Sequence, residues 1–141
     1  MRIKTSLALL IVGGVAVTTL AGCSGEQSVA DACATAQTVV AEVQTDIATV
    51  SADASAGDFS KVTATFEKLE GKLDEAAGKV SNADVKTALS NLSTSVADFG
   101  GLFDGLEDGN LEALADKLEE FEPAVASVQD SGEKLDALCN P

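Results

Sequence analysis

The side chains that perform most enzymatic chemistry are scarce in this sequence. It contains no histidine, three cysteines and 23 aspartate or glutamate residues among 141. A serine or cysteine nucleophile needs a base beside it, and only lysines or carboxylates remain for that role. Carboxylate pairs of the glycosidase kind are available in many combinations, although solvated helix faces account for nearly all of these acids. We therefore expect no catalytic residues and a protein that is not an enzyme.

One acidic segment, Asp104–Asn110, has the outline of a calcium-binding loop. A glycine stands at its sixth position, as in an EF-hand. However, Leu106 occupies a ligand position, and Ala115 stands where the bidentate glutamate is required. Zinc, iron–sulfur and haem sites would need imidazoles or several free thiolates, which the sequence does not offer. The sequence therefore predicts an acidic turn here, with no metal and no cofactor.

The first 22 residues differ in character from the rest of the chain. They contain Arg2 and Lys4, then the apolar stretch Leu7–Val17, and no acidic residue. A charged beginning followed by a short apolar run is typical of a secretory signal peptide. The run is shorter than the roughly 20 strongly apolar residues of a permanent membrane span. We therefore predict a signal peptide over residues 1–22.

The end of this segment, Leu20-Ala21-Gly22-Cys23, resembles the lipobox of bacterial lipoproteins. The resemblance implies cleavage before Cys23 and a diacylglycerol on its sulfur, with acyl chains such as palmitate. Two acyl chains give stable anchoring, so the mature protein would stay at the extracytoplasmic face of the cell membrane on a short tether, residues 23–27. In composition the remainder is similar to small actinobacterial envelope lipoproteins, and no motif in it indicates a family.

The chain that follows the signal peptide is strongly acidic. Seven lysines and no arginine accompany 23 acidic residues, which gives a side-chain net charge of −16. Such a surface repels phosphate backbones, so nucleic acid is not expected as a partner. Self-repulsion of this size also favours a soluble monomer.

Apolar residues recur with alternating spacings of three and four in four segments, 29–50, 59–80, 85–103 and 111–139. This spacing places the apolar side chains on one face of a helix. No segment alternates with a period of two over a useful length, so strands are not predicted. Four such helices with short connections predict an all-α domain over residues 28–141, an up-down-up-down four-helix bundle.

Certain residues mark where these helices begin, bend or end. Asp58 is placed to cap the second helix. Gly100-Gly101 should end the third helix early, and a three-helix bundle with the third helix broken there is the alternative architecture. Pro123 lacks an amide donor, so it predicts a kink in the fourth helix.

Two cysteines remain once Cys23 carries lipid. Cys33 lies in the first turns of the first helix, and Cys139 ends the fourth. These two helix ends are neighbours in an antiparallel four-helix bundle, and both residues belong to the apolar stripes. In an oxidising compartment we therefore predict a disulfide between Cys33 and Cys139.

The connection before the fourth helix, 100–110, is unusually apolar for an acidic loop. It carries Leu102, Phe103 and Leu106 among several carboxylates. Apolar side chains ringed by charge are typical of a contact patch for a partner. The alternative, which we favour, is that Phe103 and Leu106 fold back to close the end of the core.

These observations leave three hypotheses for the function. The first is a membrane-anchored lipoprotein that acts as a non-catalytic interaction or accessory module, with an envelope protein as its partner. The second is a carrier of a lipid or small apolar ligand between the helices, where Ala36, Ala76 and Gly132 could leave room for a pocket. The third is a hydrolase.

Overall fold

The computed structural model describes residues 27–141, which form five α-helices. No strand occurs in this part of the chain, so the all-α prediction is confirmed. None of these helices is long and apolar enough to cross a bilayer. The predicted signal peptide, the lipobox with Cys23, and tether residues 24–26 lie outside the described residues. The helices are α1 (Val29–Ala56), α2 (Phe59–Lys79), α3 (Ala83–Gly101), α4 (Leu111–Asp116) and α5 (Leu118–Cys139).

The N-terminus of α2 is capped from a distant part of the chain. Asp58, the predicted cap, makes no capping hydrogen bond and instead pairs with Lys61, whose Nζ lies 2.6 Å from Oδ2. The carboxylate of Asp108 accepts hydrogen bonds from the Ser60 amide at 2.8 Å and the Ser60 hydroxyl at 2.9 Å. A carboxylate is favourable here because a helix N-terminus carries partial positive charge. The α3–α4 connection is therefore held against the start of α2.

The connections lie at two opposite ends of the helical bundle. At one, which we call the far end, the Gly109 amide donates to the Gly57 carbonyl at 2.8 Å and joins the α1–α2 and α3–α4 connections. Gly57 has φ of 78°, a conformation that only glycine adopts without strain. At the opposite end the Gln27 amide donates to the Ser81 hydroxyl, in the α2–α3 connection, at 3.1 Å.

A disulfide closes that opposite end, which we call the disulfide end. Cys33, in the second turn of α1, is bonded to Cys139, the last residue of α5, with their Cα atoms 5.3 Å apart. The predicted cysteine pair is therefore present in the structure. It joins residues 106 positions apart in the chain.

The core lies around α2. This helix packs against both α1 and α3, and α3 packs against α5. All seven apolar positions predicted for the second helix are buried, namely Phe59, Val62, Phe66, Leu69, Leu73, Ala76 and Val80. The segment 27–141 thus carries a complete apolar core of its own, with contributions from α1, α2, α3 and α5.

The interruptions in the helices agree with the predictions only in part. α3 ends at Gly101, so the prediction that the glycine pair stops the third helix is confirmed. The predicted fourth helix is divided into α4 and α5 at Lys117, whereas Pro123 lies inside α5. The Lys117 ammonium donates to the Leu102 carbonyl at 2.8 Å, which draws this residue towards the α3–α4 connection. The division thus coincides with a tertiary hydrogen bond that the local sequence does not reveal.

Candidate functional site

The seam between α1 and α5 is open over much of its length. The two helices are joined by the disulfide but make few other contacts. Between them, towards the far end, lies a cleft of about 450 Å³, within the range of roughly 300–1,000 Å³ typical of small-ligand sites. Its lining contains no charged residue: Val43, Ile47, Val50, Ser51, Ala54, Phe66, Leu69, Val96, Phe99, Phe103, Val125, Val128 and Gln129.

Two parallel rows of apolar residues on α4 and α5 explain why the cleft is open. The inner row, Leu114, Phe121, Val128 and Leu135, packs against the core. The outer row, Leu111, Leu118 and Val125, is 57%, 61% and 40% exposed. Both rows repeat every seven residues, so each forms a line along one side of the helix. Across the cleft, Ile47 of α1 is 46% exposed. Outer-row Val125 and Ile47 therefore form the two sides of an uncovered apolar cleft.

The deepest part of the cleft is made of phenylalanines. Phe66 and Phe99 pack edge to face with ring centroids 5.2 Å apart. Phe103 stacks on Phe66 at 5.9 Å and contacts Phe121 edge to face at 5.1 Å. Phe103 itself is buried, while its neighbours Leu102 and Leu106 are half-buried. Of the three loop residues that the sequence offered as a partner contact, Phe103 thus belongs to the core and lines the cleft, and Leu106 packs against the core, as in the alternative that we favoured.

The space between α1 and α5 is smaller towards the disulfide end. A further cavity of about 100 Å³ lies there, lined by Ala36, Val40, Gly132 and Asp136 among others. Two of the three small residues singled out in the sequence, Ala36 and Gly132, therefore border space between α1 and α5. The third, Ala76, is buried on α2 and borders a groove on a different face.

That other groove, between α1 and α2, is larger but polar. It has a volume of about 540 Å³ and is crossed by ion pairs. Lys72 Nζ lies 3.1 Å from both Glu42 Oε2 and Asp46 Oδ2. The hydrogen bond from Lys72 lowers the pKa of Asp46, and the one to Asp46 raises the pKa of Lys72. Each charge already has its partner, so the groove is explained as a helix–helix contact.

The acidic loop 104–110 is occupied by structural contacts. Within residues 27–141 there is no group of three side chains able to hold a metal ion. The carboxylate of Asp108 is engaged by Ser60, whose backbone hydrogen bond lowers the pKa of that carboxyl. Gly105 and Gly109 have φ of 75° and 82°, which lets the loop turn twice within five residues. The loop therefore acts as a cap and turn.

Sequence reasoning found the cysteine pair and the apolar stripes but missed the cleft itself. The signal in the sequence that points to the cleft is the width of the apolar face on α4 and α5, where two rows of large side chains lie side by side. A helix that packs on one neighbour needs only the inner row.

No family model matches the sequence, and comparison with curated proteins and solved structures gave no match. The cleft is therefore the feature of the described residues that bears on function.

Proposed function

We propose that this protein is a membrane-anchored, non-catalytic lipoprotein whose helical domain binds an apolar chain, such as the alkyl part of a lipid, in the α1–α5 cleft. The observation that carries the proposal is a cleft of about 450 Å³ lined without a single charged side chain. Each methylene moved from water into such a site contributes about 0.8 kcal/mol. A medium-length alkyl chain would therefore bind with useful affinity.

The architecture we propose is the up-down-up-down four-helix bundle, with its fourth helix divided into α4 and α5. In this description the open cleft is the last seam of the bundle, left unclosed. The lipid anchor on Cys23 is consistent with this arrangement. Gln27 lies at the disulfide end, only four residues after Cys23. A chain of four residues spans at most roughly 14 Å, so the domain would lie close to the membrane with the wide part of the cleft directed away from it.

Binding can be measured with the segment that begins at Gln27 and a neutral apolar fluorophore such as N-phenyl-1-naphthylamine. We expect saturable fluorescence enhancement that decanol displaces. Ile47→Asp places a charge on the edge of the cleft and should weaken binding at least about tenfold, since an uncompensated charge beside an apolar ligand is costly.

Val29→Asp is the matched control, because Val29 lies on the same helix, is 41% exposed and does not line the cleft. It should bind the fluorophore as wild type does. Equal losses in the two variants, or no saturable binding by the wild type, would refute the proposal.

A protein partner from the cell envelope is the second candidate function, and the exposure of Leu111 and Leu118 favours it. These residues extend the outer row beyond the cleft. If they dock a partner, Leu118→Asp should reduce crosslinking in intact cells and leave fluorophore binding unchanged. Unchanged crosslinking patterns in this variant would remove the argument for a partner at this surface.

A further inference from the structure

The two edges of the α1–α5 cleft differ in charge. On α5, Gln129 borders the wide cleft and Asp136 borders the narrow cavity. Glu122 precedes Gln129 by seven residues, so these three side chains form one row along the helix. On α1, Ser51 borders the wide part and Gln37 the narrow part, and both are uncharged. The row on α5 therefore carries two acids, whereas the two polar residues of α1 that border the same space are neutral.

No lysine of the described residues lines the cleft or the narrow cavity. Lys68 and Lys72 are paired with Asp46 on the side of α1 that faces α2. Lys117 is engaged by the carbonyls of the α3–α4 connection. Lys134 borders a separate hollow between α3 and α5. A carboxylate or phosphate on a bound ligand would consequently find no cation at the edge of the cleft.

The two acids of the α5 edge are not equivalent. The carboxylate of Asp136 already accepts a hydrogen bond from the side-chain Nδ2 of Asn140 at 2.7 Å, and it stands at the narrow cavity of about 100 Å³. Glu122 is exposed, has no ion pair within residues 27–141, and lies one turn before Val125, which lines the wide part of the cleft. Of the two acids, only Glu122 has a carboxylate without a hydrogen-bond or ion-pair partner among the described residues.

We propose that the ligand is a single-chain cationic amphiphile, with its alkyl chain in the cleft and its positively charged head beside Glu122. This inference rests on the proposed function and adds the chemical class of the ligand. The net charge of −16 outside the signal peptide acts in the same direction, because it attracts cations and repels anions approaching the cleft.

The test compares three competitors with the same decyl chain in the fluorophore assay: decyltrimethylammonium, decylglycerol and decanoate. At low ionic strength we expect the cation to bind about tenfold more tightly than the carboxylate, as surface charge contacts allow, with the neutral competitor between them. Raising the salt concentration should bring this affinity ratio closer to one, because exposed charges are screened. The affinity of the neutral competitor should stay unchanged.

Glu122→Gln should reduce the cation-to-carboxylate ratio to within about threefold, with the neutral competitor unaffected. Asp130→Asn is the matched control, because it removes the same charge from an exposed site on α5 that lies outside the row formed by Glu122, Gln129 and Asp136. It should preserve the wild-type ratio. If the carboxylate binds as tightly as the cation, or if the two substitutions have equal effects, the proposed ligand class is wrong and the proposed function stands. Failure of all three competitors overturns the proposed function as well.

Discussion

Gly100→Ala tests the packing beneath the cleft directly. A Cβ atom on Gly100 would lie 2.6 Å from the Phe66 Cβ and 2.9 Å from its Cγ, closer than van der Waals contact allows. Phe66 cannot retreat easily, because its ring is held between those of Phe99 and Phe103. Overpacking of this kind costs roughly 1–3 kcal/mol, whereas alanine in a helix returns about 0.8–1 kcal/mol relative to glycine. The expected outcome is a net loss of about 0–2 kcal/mol in the free energy of unfolding.

The measurement is urea denaturation followed by far-UV circular dichroism, with Gly71→Ala as the control. Gly71 lies in α2, and a Cβ there meets nothing within 4 Å. It should therefore stabilise the domain by about 0.5–1 kcal/mol through helix propensity alone. If Gly100→Ala proved as stable as Gly71→Ala, Phe66 would not be packed against α3 at this point, and the described base of the cleft would be wrong.

Three further outcomes are expected. Cys33→Ser and Cys139→Ser should each lower the free energy of unfolding by up to about 4.7 kcal/mol, and the double variant little more, because all three lose the same bond; two titratable thiols in oxidised, folded protein would contradict this. Cys23→Ala should abolish lipid labelling, and a variant that still partitions into the detergent phase after signal removal would contradict the anchor. Asp108 has a lowered pKa in the folded state, so its contribution is present above its unfolded pKa and lost as the pH falls through the folded value. The difference in melting temperature between wild type and Asp108→Asn should accordingly be present at neutral pH, begin to fall near the unfolded pKa of about 4, and vanish only below the lower folded pKa; a constant difference would contradict it.

The second helix shows what the sequence could predict. Its apolar positions from Phe59 to Val80 are buried as expected because α2 has a neighbour on each side, α1 and α3. In such a central position, every residue of an apolar stripe meets a partner. The cysteine pair could be predicted for a related reason, since the number of helices determines which helix ends are neighbours.

The open seam could not be predicted, because it depends on which neighbour α5 approaches more closely. On α3, the hydroxyl of Ser95 is hydrogen-bonded to those of Ser127 and Ser131 on α5, at 3.0 and 2.9 Å. These small side chains let α5 pack closely on α3. The side chains of Val125 and Ile47 then do not pack against each other and stay partly exposed to solvent. Apolar periodicity gives the direction of a stripe within its own helix but not the separation of two helices.

The position of the disulfide also determines how rigidity is distributed along α5. A covalent bond at Cys139 fixes one end of this helix to α1, while the other end, beyond Val125, has little apolar contact across the seam. Across the seam, the helix is therefore fixed to α1 at the disulfide end, and towards its other end it relies on its packing against α3. Amide hydrogen exchange should accordingly become faster from Leu135 towards Leu118, since local opening is easiest where buried contacts are few.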